Sequence, residues 1–171
     1  AITRSLFRTL SQHVLSPAKI VTEMNNSISD NNESNMFVTL IVGILDLETG
    51  ILKLCNAGHN PPILIYPDGQ VSYLEFKTQI FVGVVEDFKY SDEEVVLEKE
   101  SKLFLYTDGV TEAENINKEL YGEEKLLEML SDNASSDVRT TVNVVVDSIA
   151  SHVKEAEASD DLTILLIQYE P

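Results

Sequence analysis

Acidic side chains stand next to two apolar segments that lie far apart in the 171-residue sequence. Asp108 follows the apolar segment 103–106, and Asp160 precedes the segment 162–167. Each segment predicts a β-strand, because short apolar runs bounded by turn-forming residues are typical of strands. If the two strands are neighbours, the two carboxylates meet at one end of a sheet and can bind a hard cation.

The residue types at these positions fit Mg²⁺ or Mn²⁺, which bind carboxylate and carbonyl oxygens and keep several water molecules. Asp108, the Gly109 carbonyl and Asp160 supply such oxygens. Asp161 either binds the cation or forms a hydrogen bond to one of its ligands. A cation there orients a phosphate group and lowers the pKa of a water for in-line attack. The alternative is two unrelated turns that use aspartate because it turns the chain well, and the spacing alone leaves both interpretations open.

A histidine, His59, lies in the glycine- and proline-rich segment Asn56-Ala57-Gly58-His59-Asn60-Pro61-Pro62. Such a histidine acts as a general acid or holds the turn together, and the sequence alone favours the second role. The sequence has no Ser-His-Asp signature, no Cys/His zinc spacing and no glycine-rich phosphate loop. A mechanism of the haloacid-dehalogenase type is also excluded, because Tyr106 stands where that Asp-x-Asp-Gly-Thr loop needs its Asp nucleophile.

The composition limits the kinds of partner. With 12 basic and 29 acidic residues the net charge is -17, which leaves no basic face for nucleic acid. A phosphorylated substrate would need a cation to offset the repulsion. The apolar content of 43% predicts one globular domain, and no apolar run is long enough for a membrane helix. The single cysteine, Cys55, is expected to be a core residue in a reducing, cytoplasmic compartment.

The hydrophobic periodicity predicts helices at both ends of a run of antiparallel strands, which is the α+β class. The expected order within a single domain, 1–171, is a helix pair in 1–32, strands in 36–109, helices in 110–155 and a final strand at 161–169. The second helix should begin at Ser16-Pro17, with serine as the N-cap. The predicted strands are 36–47, 51–57, 63–66 and 71–74 in one meander, one strand within 86–100, and a central strand at 102–107. The later helices are predicted at 123–130 and 138–153.

Four stretches of the sequence together resemble one family. They are Met36-Phe37-Val38-Thr39-Leu40, Asn56-Ala57-Gly58-His59-Asn60-Pro61-Pro62, Leu105-Tyr106-Thr107-Asp108-Gly109-Val110-Thr111-Glu112-Ala113 and Asp160-Asp161-Leu162-Thr163. In this order the stretches resemble the metal-dependent serine/threonine phosphatases of the PPM superfamily, in the bacterial SpoIIE/RsbU branch. The resemblance covers nearly the whole sequence.

The resemblance implies a PPM-type α-β-β-α sandwich of antiparallel sheets flanked by helix pairs. It implies that a water activated by two metal ions, Mg²⁺ or Mn²⁺, hydrolyses phosphoserine or phosphothreonine on an anti-sigma-factor antagonist. The implied metal site comprises Asp108, Gly109, Asp160 and Asp161. The residues expected to contact the substrate or to support the metal ligands are Thr39, Asn56 and His59.

The sequence departs from this family in one respect. It contains no Gly-Asp dipeptide, whereas the family carries a Gly-Asp-x-x-Asp stretch whose aspartate bridges both metals. The domain is therefore expected to be truncated at the N-terminus, with the missing ligand upstream, and the 171 residues alone to be catalytically inactive. The alternative is a regulatory binding module whose parent also lacks the bridging aspartate. An uncovered sheet edge would favour a homodimer. The parent can carry an N-terminal sensor or membrane segment, while no membrane contact is expected for these residues.

Overall fold

A computed structural model describes residues 2–30, 32, 36–156 and 160–171. Within these residues the protein has four helices and seven strands, and the strands form two antiparallel sheets. In chain order the elements are α1 (Ile2–Leu10), α2 (Pro17–Ser29), β1 (Leu40–Leu45), β2 (Ile51–Ala57), β3 (Ile63–Ile65), β4 (Val71–Tyr73), β5 (Glu93–Val96), β6 (Lys102–Tyr106), α3 (Glu123–Asp132), α4 (Val138–Val153) and β7 (Ile164–Gln168). The predicted α+β class is confirmed. The chain divides into two compact units, 1–59 with 75–97 and 60–74 with 98–171.

The first unit contains α1, α2 and a three-stranded sheet in the order β1-β2-β5. One face of α2 is apolar at helical spacing and packs on β1 and β2. Its residues Ile20, Val21 and Met24 are almost completely buried. Cys55 of β2 is fully buried in the same cluster, as predicted. Burial raises the pKa of its thiol to about 12, so that it stays protonated and packs as a small apolar residue.

The start of α2 follows from its capping residues. The Ser16 hydroxyl accepts a hydrogen bond from the Lys19 N–H at 3.3 Å, and Pro17 is the first helical residue. This confirms the start predicted from the sequence. A distant acid adds a second cap, because the Asp92 carboxylate accepts from the Ser16 hydroxyl at 2.8 Å and from the Ala18 N–H. Asp92 thus satisfies an N–H group that the helix itself leaves unpaired.

The second unit contains α3, α4 and a four-stranded sheet in the order β4-β3-β6-β7. The predicted central strand is confirmed, because β6 pairs with β3 on one side and β7 on the other. Phe104 and Tyr106 of β6 face a core to which the helices contribute Leu126 and Val145, and all four side chains are almost completely buried. Asp137 caps α4 by accepting from the Thr140 N–H at 3.0 Å. This core holds β6 and therefore fixes the position of the turn that follows it.

Two strand predictions are wrong. The strand predicted at 36–47 is shorter, since β1 begins at Leu40, and upstream of it Val38 forms an isolated bridge with Val82. The pairing ends there because the partner β2 stops at Ala57 and the chain turns at Gly58, whose φ is 75°. The single meander is also wrong, because β2 and β3 belong to different sheets. Two prolines lie between β2 and β3, and proline has no N–H with which to continue a ladder.

The helices of the described residues are short. The longest, α4, has 16 residues. No helix in these residues is long and apolar enough to cross a membrane.

Candidate functional site

The ends of β6 and β7 that carry the acidic residues lie side by side. The two strands pair antiparallel up to Tyr106 and Ile164. Asp108 follows the end of β6 and Asp160 precedes the start of β7, so both lie at the same end of the strand pair. The two strands are therefore neighbours, as the sequence-based prediction required for the two carboxylates to meet.

Gly109 packs directly against the backbone before β7. A Cβ atom built on Gly109 would overlap the carbonyl oxygen of Asp161, and it would lie 3.1 Å from the carbonyl carbon of Asp161 and 3.6 Å from the Cβ of Asp160. The atoms in the way are mainly backbone, so any side chain at this position must displace the chain. We call Asp108, Gly109, Asp160 and Asp161 the acidic site.

Asp108 and Asp160 of the acidic site are held by local hydrogen bonds. The Asp108 carboxylate accepts from the Gly109 N–H at 3.0 Å, and the Asp160 carboxylate accepts from the Asp161 N–H at 2.7 Å. The Asp108 carbonyl accepts from the Glu112 N–H at 2.8 Å, which shapes the turn. Both side chains are exposed. A carboxylate can accept about four hydrogen bonds, so each retains oxygen lone pairs that face solvent.

The donor chemistry of the acidic site matches part of a hard-cation site. Carboxylate and carbonyl oxygens are the ligands that Mg²⁺ and Mn²⁺ prefer. In the part of the chain that the structure describes, no group of three or more His, Cys, Asp or Glu side chains is arranged to hold a metal ion. The residues present therefore fit the cation in type but supply few of its ligands.

The other three predicted site residues come together in the first unit, whereas the acidic site lies in the second. The Asn56 side chain donates to the His59 carbonyl at 2.9 Å and accepts from the His59 N–H at 2.8 Å. Asn56 is 2% exposed, so its amide serves to close this loop. Thr39 Oγ1 lies 3.3 Å from His59 Nδ1. The side chain that closes this turn is thus Asn56, and the His59 ring lies within hydrogen-bonding distance of Thr39.

Residues 1–170 match the family of Stage II sporulation protein E (SpoIIE). The chain belongs to the SpoIIE family. The resemblance predicted from the four sequence stretches is confirmed.

Individual relatives of this SpoIIE-family chain agree with the assignment. Phosphoserine phosphatase RsbU of Bacillus subtilis is 24% identical over 153 residues, which are 89% of this chain and 45% of RsbU. The solved SiaA-PP2C domain of Pseudomonas aeruginosa has a TM-score of 0.85 at 20% identity, covering 99% of this chain and 68% of that one. RsbX in complex with magnesium has a TM-score of 0.66 at 18% identity, covering 97% and 70%. These structures show that the fold is shared. The chain spans less than half the length of the first curated relatives it matches.

In this SpoIIE-family chain, the loop around His59 depends on a glycine. Gly58 has a φ of 75°, and a Cβ atom there would overlap the Phe81 ring, 2.8 Å from its Cε1 atom. Phe81 in turn packs on Phe37, with ring centroids 5.4 Å apart. Glycine is needed at this position for both the backbone conformation and the ring contact.

The Tyr106 side chain, two residues before Asp108, is buried in the core. It is 2% exposed and belongs to the core of the second unit. Burial raises the pKa of its phenol, so the hydroxyl stays protonated at neutral pH. The residue therefore anchors the strand that leads to the acidic site.

Thr107, the residue between β6 and Asp108, is not among the site residues predicted from the sequence. Its hydroxyl donates to the Asp161 carbonyl at 3.3 Å and accepts from the Thr163 N–H at 3.2 Å. The available signal was a threonine between a strand and a turn, where a hydroxyl often replaces a backbone hydrogen-bonding group. Its partners are more than 50 residues away in sequence, so spacing alone could not identify them.

Proposed function

We propose that the chain is part of a metal-dependent protein phosphatase that hydrolyses phosphoserine or phosphothreonine. The observation that carries the proposal is the β6–β7 pairing, which brings two exposed aspartates to one end of a sheet. The relative RsbU is a phosphoserine phosphatase, and the structural neighbour RsbX is in complex with magnesium. A net charge of -17 also repels a phosphate group, and a bound cation would offset this repulsion.

Asp108 and Asp160 are the residues that would hold Mg²⁺ or Mn²⁺, with the Gly109 carbonyl and Asp161 as further oxygen donors. When bound, the cations would lower the pKa of a water and offset the negative charge of the phosphate. The role of the chain is to hold the two carboxylates at one end of the sheet and to leave them exposed to solvent. Asp108 and Asp160 meet this requirement, because both are exposed and, within the described residues, each carboxylate accepts from the backbone N–H of the next residue.

The proposed substrate is a phosphorylated regulatory protein of the anti-sigma-factor antagonist type, encountered in the cytoplasm. Membership of the SpoIIE family and the similarity to RsbU support this class. Thr39 and His59 stay candidates for contact with the substrate, since the ring and the hydroxyl lie together in the first unit. Asn56 is assigned to the loop itself, because its amide is buried and bonded on both sides to His59.

We further propose that the 171 residues alone supply an incomplete cation site. The resemblance to the SpoIIE/RsbU branch implies a further aspartate ligand in a Gly-Asp-x-x-Asp stretch, and this sequence has no Gly-Asp dipeptide. A carboxylate from outside these residues would then be needed for activity.

A phosphatase assay tests the proposed function. The 171-residue chain and a longer form that includes a Gly-Asp-x-x-Asp stretch are each incubated with a phosphoserine peptide and Mn²⁺. We expect Mn²⁺-dependent phosphate release from the longer form only. Full activity of the 171 residues would contradict the incomplete site. No release from either form, with retained binding of the phosphopeptide, would instead favour a catalytically inactive regulatory module.

We also propose that the chain forms a homodimer through β7. In the described residues β7 is the last strand of its sheet, and Leu165 and Ile167 on it are 53% and 42% exposed. The segment 162–169 carries no charged residue, so it lacks one of the features by which natural edge strands avoid edge-to-edge pairing. Light scattering at high concentration should give the mass of a dimer. The variant Leu165→Lys, which adds a charge to the edge, should give a monomer, and a monomeric unmodified chain would contradict the proposal.

A further inference from the structure

The backbone N–H and the carbonyl of Thr107 form hydrogen bonds with two different segments. Its N–H donates to the Thr163 carbonyl at 3.1 Å, which extends the β6–β7 ladder by one residue. Its carbonyl accepts from the Val110 N–H at 3.0 Å and so belongs to the turn that presents Asp108. In a hydrogen-bonded antiparallel pair, each residue normally donates its N–H to the carbonyl of the other. Here the Thr107 carbonyl accepts from the Val110 N–H of the turn and not from the Thr163 N–H.

The Thr107 hydroxyl replaces the missing carbonyl. It accepts from the Thr163 N–H at 3.2 Å and donates to the Asp161 carbonyl at 3.3 Å. A single oxygen therefore connects the end of β6 to two backbone groups that flank Leu162. The same Asp161 carbonyl also lies close to Gly109. Asp161 is thus fixed both by a hydrogen bond and by a steric contact.

We propose that Thr107 is a positioning residue, whose hydroxyl holds the strand end that carries Asp108 at a fixed distance from the strand end that carries Asp160. Its bearing on cation binding rests on the proposed function. The hydroxyl does not need to touch the cation or the phosphate, because it acts through the backbone of both acidic segments.

Three variants distinguish this positioning role from a general contribution of the side chain to the stability of the fold. Thr107→Val keeps the shape and removes the hydroxyl, and Thr107→Ser keeps the hydroxyl. Thr163→Val is the matched control, since it removes a hydroxyl from the paired residue, of which the bonds described here use only the backbone. All three substitutions are made in the 171-residue chain labelled with ¹⁵N.

The first measurement is amide hydrogen exchange of Thr163. Loss of a hydrogen bond costs about 1 kcal/mol, so in Thr107→Val we expect this amide to exchange roughly five- to tenfold faster. Thr107→Ser should exchange at the original rate, and the residue-163 amide of Thr163→Val should keep its original protection once the different intrinsic exchange rate of valine is taken into account. Unchanged exchange in Thr107→Val, or the same increase in Thr163→Val, would overturn the proposal.

The second measurement is paramagnetic broadening by Mn²⁺, which detects weak binding without turnover. In the unmodified chain the amides of Gly109 and Asp161 should broaden together. Thr107→Val should need several-fold more Mn²⁺ for the same broadening, since outer partners of metal ligands typically contribute about tenfold or more to affinity, and Thr107→Ser should restore the response. If Mn²⁺ broadens neither amide in the unmodified chain, the same measurement is made on the longer form that includes a Gly-Asp-x-x-Asp stretch, and no broadening there would contradict the proposed cation site. The exchange rates then still decide whether Thr107 fixes the two strand ends.

Discussion

Asp108→Asn is expected to abolish divalent-cation binding at the acidic site while leaving the fold intact. Asparagine has the same shape and can still accept the hydrogen bond from the Gly109 N–H, which is 3.0 Å long in the structure. It lacks the negative charge and offers one oxygen in place of two. The side chain is exposed, so its replacement should change the free energy of unfolding by less than about 0.5 kcal/mol.

The loss of function should be much larger than the loss of stability. Even outer partners of a metal ligand typically contribute 10–100-fold to affinity or activity, so removal of a ligand is expected to cost more than about hundredfold. In a form of the protein that hydrolyses phosphoserine, kcat/KM should fall by at least this factor. In the 171-residue chain, Mn²⁺ should no longer broaden the amides of the acidic site.

Asp132→Asn is the matched control for this prediction. Asp132 is the exposed last residue of α3 in the same unit, so its substitution makes the same change of charge away from the acidic site. Thermal unfolding should be the same for both variants. Retained turnover with Mn²⁺ in Asp108→Asn would show that Asp108 is not a ligand.

The parts of the fold that follow from local signals could be predicted from the sequence. Ser16-Pro17 marks the start of α2 because both residues act on neighbouring backbone groups. The central position of β6 also follows from its composition, because a strand buried on both faces is apolar at almost every position. The acidic site could be predicted only conditionally, since its two halves are joined by the pairing of β6 and β7.

The features that could not be predicted depend on contacts between distant segments. The two prolines between β2 and β3 are visible in the sequence, but the passage of the chain from one sheet to the other also depends on the positive φ of Gly58 and on the Asn56 hydrogen bonds to His59. The periodic pattern of apolar residues in the sequence predicts neither of these two features. The role of Thr107 is hidden for the same reason, because its hydroxyl matters only once the Thr107 carbonyl is used by the turn and Thr163 lies opposite.

The acidic site also shows why glycine follows the aspartate. In a strand that ends in Asp-Gly, the glycine usually serves a turn that needs a flexible backbone. The structure gives a different reason, because Gly109 is not among the glycines with positive φ. What excludes a side chain is the close approach of the backbone at Asp161. The glycine is therefore required by packing between two strand ends, and this requirement can be tested separately from charge.

Gly109→Ala is expected to destabilise the chain by about 3 kcal/mol, at the upper end of the cost of overpacking. The new methyl group would overlap the Asp161 carbonyl oxygen, which is backbone and is held by the Thr107 hydroxyl at 3.3 Å. Relief of the overlap must move the strand ends apart. The two aspartates would then separate, so cation binding should be lost in the fraction of molecules that stays folded, although no ligand side chain has changed.

Gly43→Ala is the matched control for this substitution. Gly43 lies within β1, and a Cβ atom there would meet mainly the Leu52 Cδ1 atom at 3.3 Å, which belongs to a flexible side chain and can move. We expect a change below about 1 kcal/mol in chemical denaturation, because an alanine side chain also favours a strand interior over glycine. If Gly109→Ala were as stable as Gly43→Ala, the close approach of the two strand ends would not exist in solution. If it were destabilised but bound Mn²⁺ as before, the acidic site would tolerate their separation, and neither Gly109 nor Thr107 would be needed to position the aspartates.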